Sequence, residues 1–165
     1  MKNRDIVIGL VVILLIAGVI FFIRRPEEEV EDQTPTIEEV EEELEESFKF
    51  EIPEDVLKVK LLDVVKEGLT GLATKDEQEG MTSYTVLVDL PDPEEGTFYE
   101  AWLVKKNEEG EDTYVSIGKL RVAKGGYLLE HDAYEEELKD YNMVIITREK
   151  VADSTPEEII LEGSF

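Results

Sequence analysis

The hydrophobic positions of this chain follow three successive patterns. From Ile6 to Ile23 no residue is charged and most are strongly apolar. From Pro26 to Ser47 apolar residues are sparse and glutamates dominate. From Phe48 onward, short β-branched and aromatic runs alternate with turn residues, as is typical of an antiparallel β domain. The pattern predicts three segments: a membrane anchor over residues 1–25, an acidic stalk over 26–56 and a β domain over 57–165.

The apolar run Ile6–Ile23 is long enough to cross a bilayer. Its 18 residues span roughly 27 Å as a helix, close to the thickness of the hydrocarbon core. A cleaved signal peptide would have a shorter apolar run and a small-residue cleavage site, whereas this run ends in Phe-Phe-Ile-Arg-Arg-Pro. A pilin-type leader is the weaker third interpretation, because the run contains no glutamate. We therefore expect an uncleaved, single-pass signal anchor.

A short helix is predicted inside the acidic stalk, from Ile37 to Phe48. Thr36 and Glu39 have the spacing of a capping box. Val40 and Leu44 continue a thin apolar stripe at helical spacing. We expect this helix to dock weakly on the β domain or to pair with another copy. Its many glutamates repel one another, so it is not expected to be stable alone.

The β domain contains several runs that read as strands. The clearest is Met81–Leu90, in which one face is formed by Tyr84, Val86, Val88 and Leu90. The predicted runs are residues 58–65, 72–75, 81–90, 98–105, 113–122, 127–130, 143–149 and 159–165. Their spacing favours an all-β fold, an Ig-like or Greek-key β-sandwich of about seven strands, over a barrel. The segment Asp132–Asp140 is left open between a helical turn and an irregular crossover.

Charge restricts the partners of the chain. The formal net charge is −24, and residues 1–25 carry four cations against Asp5 alone, so the remainder carries −27. Such a surface repels phosphate backbones and attracts cations or basic proteins, so nucleic acid is not an expected partner. The chain has no cysteine, which removes disulfides and thiolate chemistry. The simplest interpretation is that the negative charge only keeps the domain soluble.

No combination of residues predicts catalysis, a cofactor or a metal site. His131 is followed by Asp132, but neighbours on a strand point to opposite faces. No serine lies in a G-x-S-x-G elbow. Two acidic clusters, 89–95 and 107–112, lack the spacing of a calcium loop. Trp102 and Tyr99 are predicted to be core residues rather than a ligand platform.

Several segments of the β domain resemble the extracytoplasmic domain of the anti-sigma-K factor (RskA-type) family, over roughly Leu57–Phe165. The matching segments are Leu90-Pro91, Phe98-Tyr99-Glu100-Ala101-Trp102-Leu103-Val104, Ile117-Gly118-Lys119-Leu120, Val144-Ile145-Ile146-Thr147-Arg148-Glu149, Pro156 and Gly163-Ser164-Phe165. The resemblance implies a β-sandwich outside the membrane on one helix. Family members hold a sigma factor through a cytoplasmic domain before that helix, where this chain has Met1–Asp5. Direct sigma-factor binding is therefore not expected.

The flanking charges alone do not decide the orientation. Lys2 and Arg4 precede the apolar run, and Arg24 and Arg25 follow it. With the resemblance, we expect a cytoplasmic N-terminus and an extracytoplasmic β domain at the cell membrane. The function expected is that of a non-enzymatic binding or structural module of the cell envelope with an envelope protein as partner. The alternative is the sensory domain of an anti-sigma-type system whose cytoplasmic partner is a separate chain.

Overall fold

The computed structural model describes residues 35–107 and 111–165 of the chain. These described residues form two helices, α1 (Ile37–Phe48) and the single turn α2 (Glu135–Leu138), and nine strands. The strands are β1 (Leu57–Asp63), β2 (Thr70–Gln78), β3 (Met81–Asp89), β4 (Phe98–Lys105), β5 (Thr113–Lys119), β6 (Arg121–Ala123), β7 (Gly126–Tyr134), β8 (Met143–Glu149) and β9 (Glu158–Ser164). The described part is mostly β, as predicted, with nine strands where the sequence indicated about seven.

The strands form one antiparallel sheet that nearly closes on itself, in the order β5-β4-β8-β9-β1-β2-β3-β7-β6. At one corner, β1 pairs with β2 through Leu57–Leu61 and then with β9 at Leu62 and Asp63. At the other corner, β5 pairs with β4, and after Leu120 the chain continues as β6 on β7. Strands that pass from one ladder to the next are the usual means of turning such corners. The sheet can be divided into two sets of five strands that share β1. We call the strands β1-β2-β3-β7-β6 together the first ladder and the strands β5-β4-β8-β9-β1 together the second ladder.

The main core lies between the inner faces of the two ladders. Val86 and Val88 from the first ladder and Leu103 and Ile146 from the second are each at most 1% exposed and belong to one cluster. Side chains alternate across each strand, so these positions follow the period of two in the sequence. The predicted inward set of Tyr84, Val86, Val88 and Leu90 is buried, which confirms that face of β3.

Helix α1 packs on the outer face of the first ladder. Thr36 accepts a hydrogen bond from the backbone of Glu39, and the Glu39 carboxylate accepts one from the backbone of Thr36 at 2.8 Å, which confirms the predicted capping box. Val40 and Leu44 are at most 1% exposed. They share a cluster with three residues of the sheet, Leu72, Leu87 and Leu128. The helix predicted in the stalk is therefore packed against the sheet.

The hairpin between β6 and β7 lies directly beneath the end of α1. Gly125 has a φ of +98°, and a Cβ there would lie 2.5 Å from the carbonyl carbon of Ser47. A side chain at this position would therefore be strained and would also push the helix away. Glycine at this turn lets the helix and the hairpin approach closely.

Several element boundaries match the sequence and others do not. The strands Phe98–Lys105 and Met143–Glu149 have the predicted bounds. The run predicted over 113–122 is divided at Leu120, whose backbone N–H donates to the Tyr99 carbonyl at 2.9 Å where the chain turns the corner. Strand β7 extends to Tyr134 rather than ending at Glu130, and α2 shows that the open segment contains a helical turn.

The predicted membrane anchor, Ile6–Ile23, lies outside the described residues. Within residues 35–107 and 111–165, neither helix has the length and hydropathy needed to cross a bilayer.

Candidate functional site

The sheet is left open along one seam, between β5 and β7. Strand β6 pairs with only the first residues of β7, from Gly126 to Leu128. From Leu129 to Tyr134, β7 pairs with β3 on one side. On its other side no described strand forms a ladder with it, and β5 pairs with β4 alone. Two strand edges therefore face each other without backbone pairing.

The seam is narrow at one end and wide at the other. At the narrow end, a Cβ on Gly118 would lie 3.3 Å from the Leu129 Cδ1 atom. At the wide end the edges border a groove of about 400 Å³, lined on one side by Val115 and on the other by the stretch from His131 to Tyr134. This volume falls within the usual range of ligand sites, about 300–1,000 Å³. We call this space the seam groove.

The chemistry of the seam groove is mixed apolar and acidic. Its lining includes the apolar side chains of Met81 and Leu138 and the carboxylates of Asp132 and Glu137, and no lysine or arginine of the described part of the chain. Both carboxylate residues are solvent-exposed. Tyr134 is 67% exposed and pairs with Met81 across the β3–β7 ladder. A lining that is both apolar and acidic suits a ligand that is both apolar and cationic.

His131 and Asp132, which were not predicted from the sequence to form a catalytic pair, both line the seam groove. His131 pairs with Tyr84 in the ladder, whereas Asp132 pairs with Ser83. Asp132 accepts a hydrogen bond from the Ser83 hydroxyl at 2.6 Å, so its carboxylate is held by a hydroxyl on the strand beside it. Since adjacent residues of a strand point to opposite faces, the side chains of His131 and Asp132 leave β7 in opposite directions.

The outer face of the second ladder contains a second unusual feature, two buried glutamates. Glu100 is 6% exposed and Glu149 is 0% exposed, and each has an Oε2 atom without a hydrogen-bond partner among the described residues. Their Oε1 atoms accept hydrogen bonds, from the Ser116 hydroxyl and from the backbone of Glu157 respectively. Lys119 pairs with Glu100 in the ladder, but its ammonium lies 3.4 Å from the ring centroid of Phe98.

The predicted core aromatics are both buried, on opposite sides of β4. Tyr99 is 2% exposed in the main cluster. Trp102 is 1% exposed in a smaller cluster with Val104 and Ile145. Its indole N–H donates to the Thr147 hydroxyl at 2.9 Å. The indole donor is therefore satisfied inside the protein.

The acidic turns singled out in the sequence accept hydrogen bonds from other side chains of the β domain. Asp92 accepts a hydrogen bond from the Tyr127 hydroxyl at 3.0 Å. Burial and this hydrogen bond raise the pKa of Tyr127 to about 12. Asp112 accepts one from the Lys106 ammonium at 2.7 Å. In the part of the chain that the structure describes, no three His, Asp or Glu side chains come together as metal ligands.

The seam groove was not predicted from the sequence. The sequence signals for this groove are weak for two reasons. The stretch from His131 to Tyr134 contains few β-forming residues, and the gap between β5 and β7 depends on how strands far apart in the sequence align. The buried glutamates had a usable signal. In Phe98–Val104 the residues of both faces are apolar except Glu100, which indicates a carboxylate inside a buried strand.

Comparisons with known proteins give no match to this chain. No family model, no curated protein and no solved structure matches it. The account of its function therefore depends on its own residues, and the likeness to the anti-sigma-K factor family stays a proposal.

Proposed function

We propose that this chain is a membrane-anchored, non-enzymatic module of the cell envelope that binds a protein partner through its extracytoplasmic β domain. The observation that carries the proposal is the seam groove, where two strand edges face each other without pairing. An unpaired edge is a template for another chain, and folded proteins usually cover or blunt it. A domain that keeps such an edge beside a groove is suited to binding.

Charge supports a protein partner over nucleic acid. Residues 26–165 carry a net −27, as counted from the sequence. A surface of this sign repels phosphate backbones and steers cationic surfaces toward it. Binding and not turnover is proposed because the hydroxyl of Ser116, the serine in the groove lining, donates its hydrogen bond to Glu100 and not to His131.

The finer description of the domain is also a proposal. Two ladders that enclose one core and share β1 support a β-sandwich of the Greek-key, Ig-like kind. The resemblance to the anti-sigma-K factor family adds to this view through Phe98–Val104 and Val144–Glu149, which form two adjacent strands in the second ladder.

The membrane location is proposed from the apolar run Ile6–Ile23, with the β domain outside the cytoplasm. Because the chain has no cysteine, single introduced cysteines can test this. In intact cells, a membrane-impermeant maleimide is expected to label Asp153→Cys and to leave Asn3→Cys unlabelled until lysis. The reverse labelling pattern would contradict the proposed orientation.

The binding role can be tested with a photo-crosslinking residue at Tyr134 of the full chain in cells. Tyr134 lies at the groove and is 67% exposed, whereas Val151, 56% exposed, lies in the β8–β9 loop and serves as the control. We expect a discrete protein adduct from position 134 and none of the same mass from position 151. Identical adduct patterns from the two positions would show that the groove is not the contact surface.

A further inference from the structure

We propose that the seam groove binds an extended, cationic protein segment, which adds to the free edge of β7 as a further strand. This inference rests on the proposed function and names the partner chemistry at the same site. It requires three properties of the site: free backbone groups, room for a strand and an acidic environment.

The free backbone groups lie on β7 between Leu129 and Tyr134. In an antiparallel strand, successive N–H and C=O groups point alternately to the two neighbouring strands. On one side these groups meet β3, from Met81 to Val86. On the other side, within the described residues, they have no ladder partner. An extended segment could satisfy them by β-strand addition, in which main-chain bonds give affinity and alternate side chains give specificity.

The shape of the seam sets where that segment enters. At Gly118 the Leu129 side chain reaches across the seam, so we expect the segment to enter from the other end. The groove opens between Val115 and the residues from His131 onward. A stretch of about five residues, some 16 Å long at strand rise, matches the free edge from Glu130 to Tyr134.

Charge indicates what the segment carries. Asp132 and Glu137 are the charged side chains of the groove lining, apart from the lone histidine, and both are exposed. Side chains directly opposite on paired strands contact each other, so a lysine or arginine beside Asp132 would form a cross-strand ion pair. A second copy of this chain is a poor occupant, because it would bring another strongly negative domain against this one.

Alternation along β7 gives the expected pattern of the segment. His131 and Ala133 lie on one face of the strand and Asp132 and Tyr134 on the other. Residues of the segment that face Val115 and Ala133 should therefore be small and apolar. The residues between them, beside Asp132 and Tyr134, should be cationic. The inferred partner sequence alternates lysine or arginine with valine or a similar residue.

The test uses the full chain in nanodiscs and four capped peptides. These are an alternating Lys-Val peptide, its Glu-Val counterpart, a Lys-Val peptide of the same composition in two blocks, and the alternating peptide N-methylated on the backbone. Binding is measured by titration calorimetry. The alternating Lys-Val peptide should bind at least about tenfold more tightly than each of the others.

Paired variants locate the binding. Asp132→Asn with Glu137→Gln removes the two groove carboxylates and keeps the Ser83 hydrogen-bond acceptor. Glu54→Gln with Asp55→Asn removes two exposed carboxylates between α1 and β1 and is the charge-matched control. The groove pair should weaken binding by about fivefold to tenfold, and the control pair by less than about twofold.

Each contrary result overturns a specific part of the inference. Equal binding of the N-methylated peptide would exclude strand addition, and equal weakening by the two variant pairs would exclude the groove as the site. Absence of binding by every peptide would refute the cationic segment. If Tyr134 still captured a discrete partner in cells, the proposed function would stand while this inference failed.

Discussion

Asp63 organises the connection between β1 and β2 through its carboxylate. It accepts hydrogen bonds from four backbone N–H groups between Val65 and Leu69, at 2.7–3.1 Å. Burial acts to raise the pKa of Asp63, but these four hydrogen bonds outweigh it and hold the pKa below its ordinary value of 3.8. Lys66 and Gly68 have positive φ angles in this loop, so the carboxylate fixes a conformation that the backbone does not favour alone.

Replacement of Asp63 by asparagine should destabilise the domain by about 1–3 kcal/mol at neutral pH, because the amide nitrogen cannot accept two of the four bonds. A lowered folded-state pKa means that the stabilisation is present above the unfolded pKa and is lost as pH falls through the folded pKa. The difference in the free energy of unfolding between Asp63→Asn and wild type should therefore become smaller below about pH 4. Urea unfolding at pH 7 and pH 3, followed by Trp102 fluorescence with Asp55→Asn as control, measures this.

Glu149 is fully buried, and one of its carboxylate oxygens has no hydrogen-bond partner within residues 35–107 and 111–165. Glu149→Gln keeps the acceptor for the Glu157 backbone and removes the charge. Burying a charge without compensation is unfavourable. We therefore expect Glu149→Gln to lower the free energy of unfolding by no more than about 0.5 kcal/mol, or to raise it. A loss above about 2 kcal/mol in urea unfolding would show that the charge is compensated.

Trp102 packs in the small cluster on the outer face of β4 and β8 with its indole N–H bonded to Thr147. Trp102→Ala should lower the free energy of unfolding by about 3–5 kcal/mol, as expected for a buried aromatic residue. Trp102→Phe keeps most of the packing and should lose less. Circular dichroism is the suitable probe, since Trp102 is the single tryptophan of the chain. Unchanged stability with altered partner binding would identify Trp102 as a ligand platform.

Helix α1 contributes a second, outer core to the first ladder. Leu44 is 1% exposed against the sheet, whereas Glu43 on the same helix is exposed. Leu44→Ala should destabilise the domain by about 2–5 kcal/mol, and Glu43→Ala by less than about 0.5 kcal/mol. Equal stabilities of the two variants in urea unfolding would mean that the helix is a free stalk that adds nothing to the fold.

The helix and the strong strands could be predicted because their signals are local. The capping box at Thr36 and the alternation of Val86 and Val88 each lie within a few residues of sequence. Other features depend on which strands meet across the fold. They are the corner at Leu120, the extension of β7 to Tyr134 and the open seam. Burial of Glu100 is an exception, because its strand is otherwise apolar on both faces and this pattern is local.

The arrangement of the whole sheet gives the binding proposal its physical basis. The two ladders are joined at two corners, so the sheet almost closes on itself. The short strand β6 pairs with only the start of the β7 edge. A longer β6 would pair with Glu130–Tyr134 and remove the groove. The excess negative charge discourages self-association along that edge and favours a cationic partner.

Backbone amide exchange along β7 tests this account most directly. In the full chain in nanodiscs, alternate amides from Glu130 to Tyr134 that point away from β3 should exchange fast, and those that point to β3 slowly. Addition of the alternating Lys-Val peptide should slow the fast set and leave β8, from Met143 to Glu149, unchanged. Uniform protection along β7 before peptide is added, or peptide binding that leaves the fast amides unprotected, would contradict the open edge as the binding site.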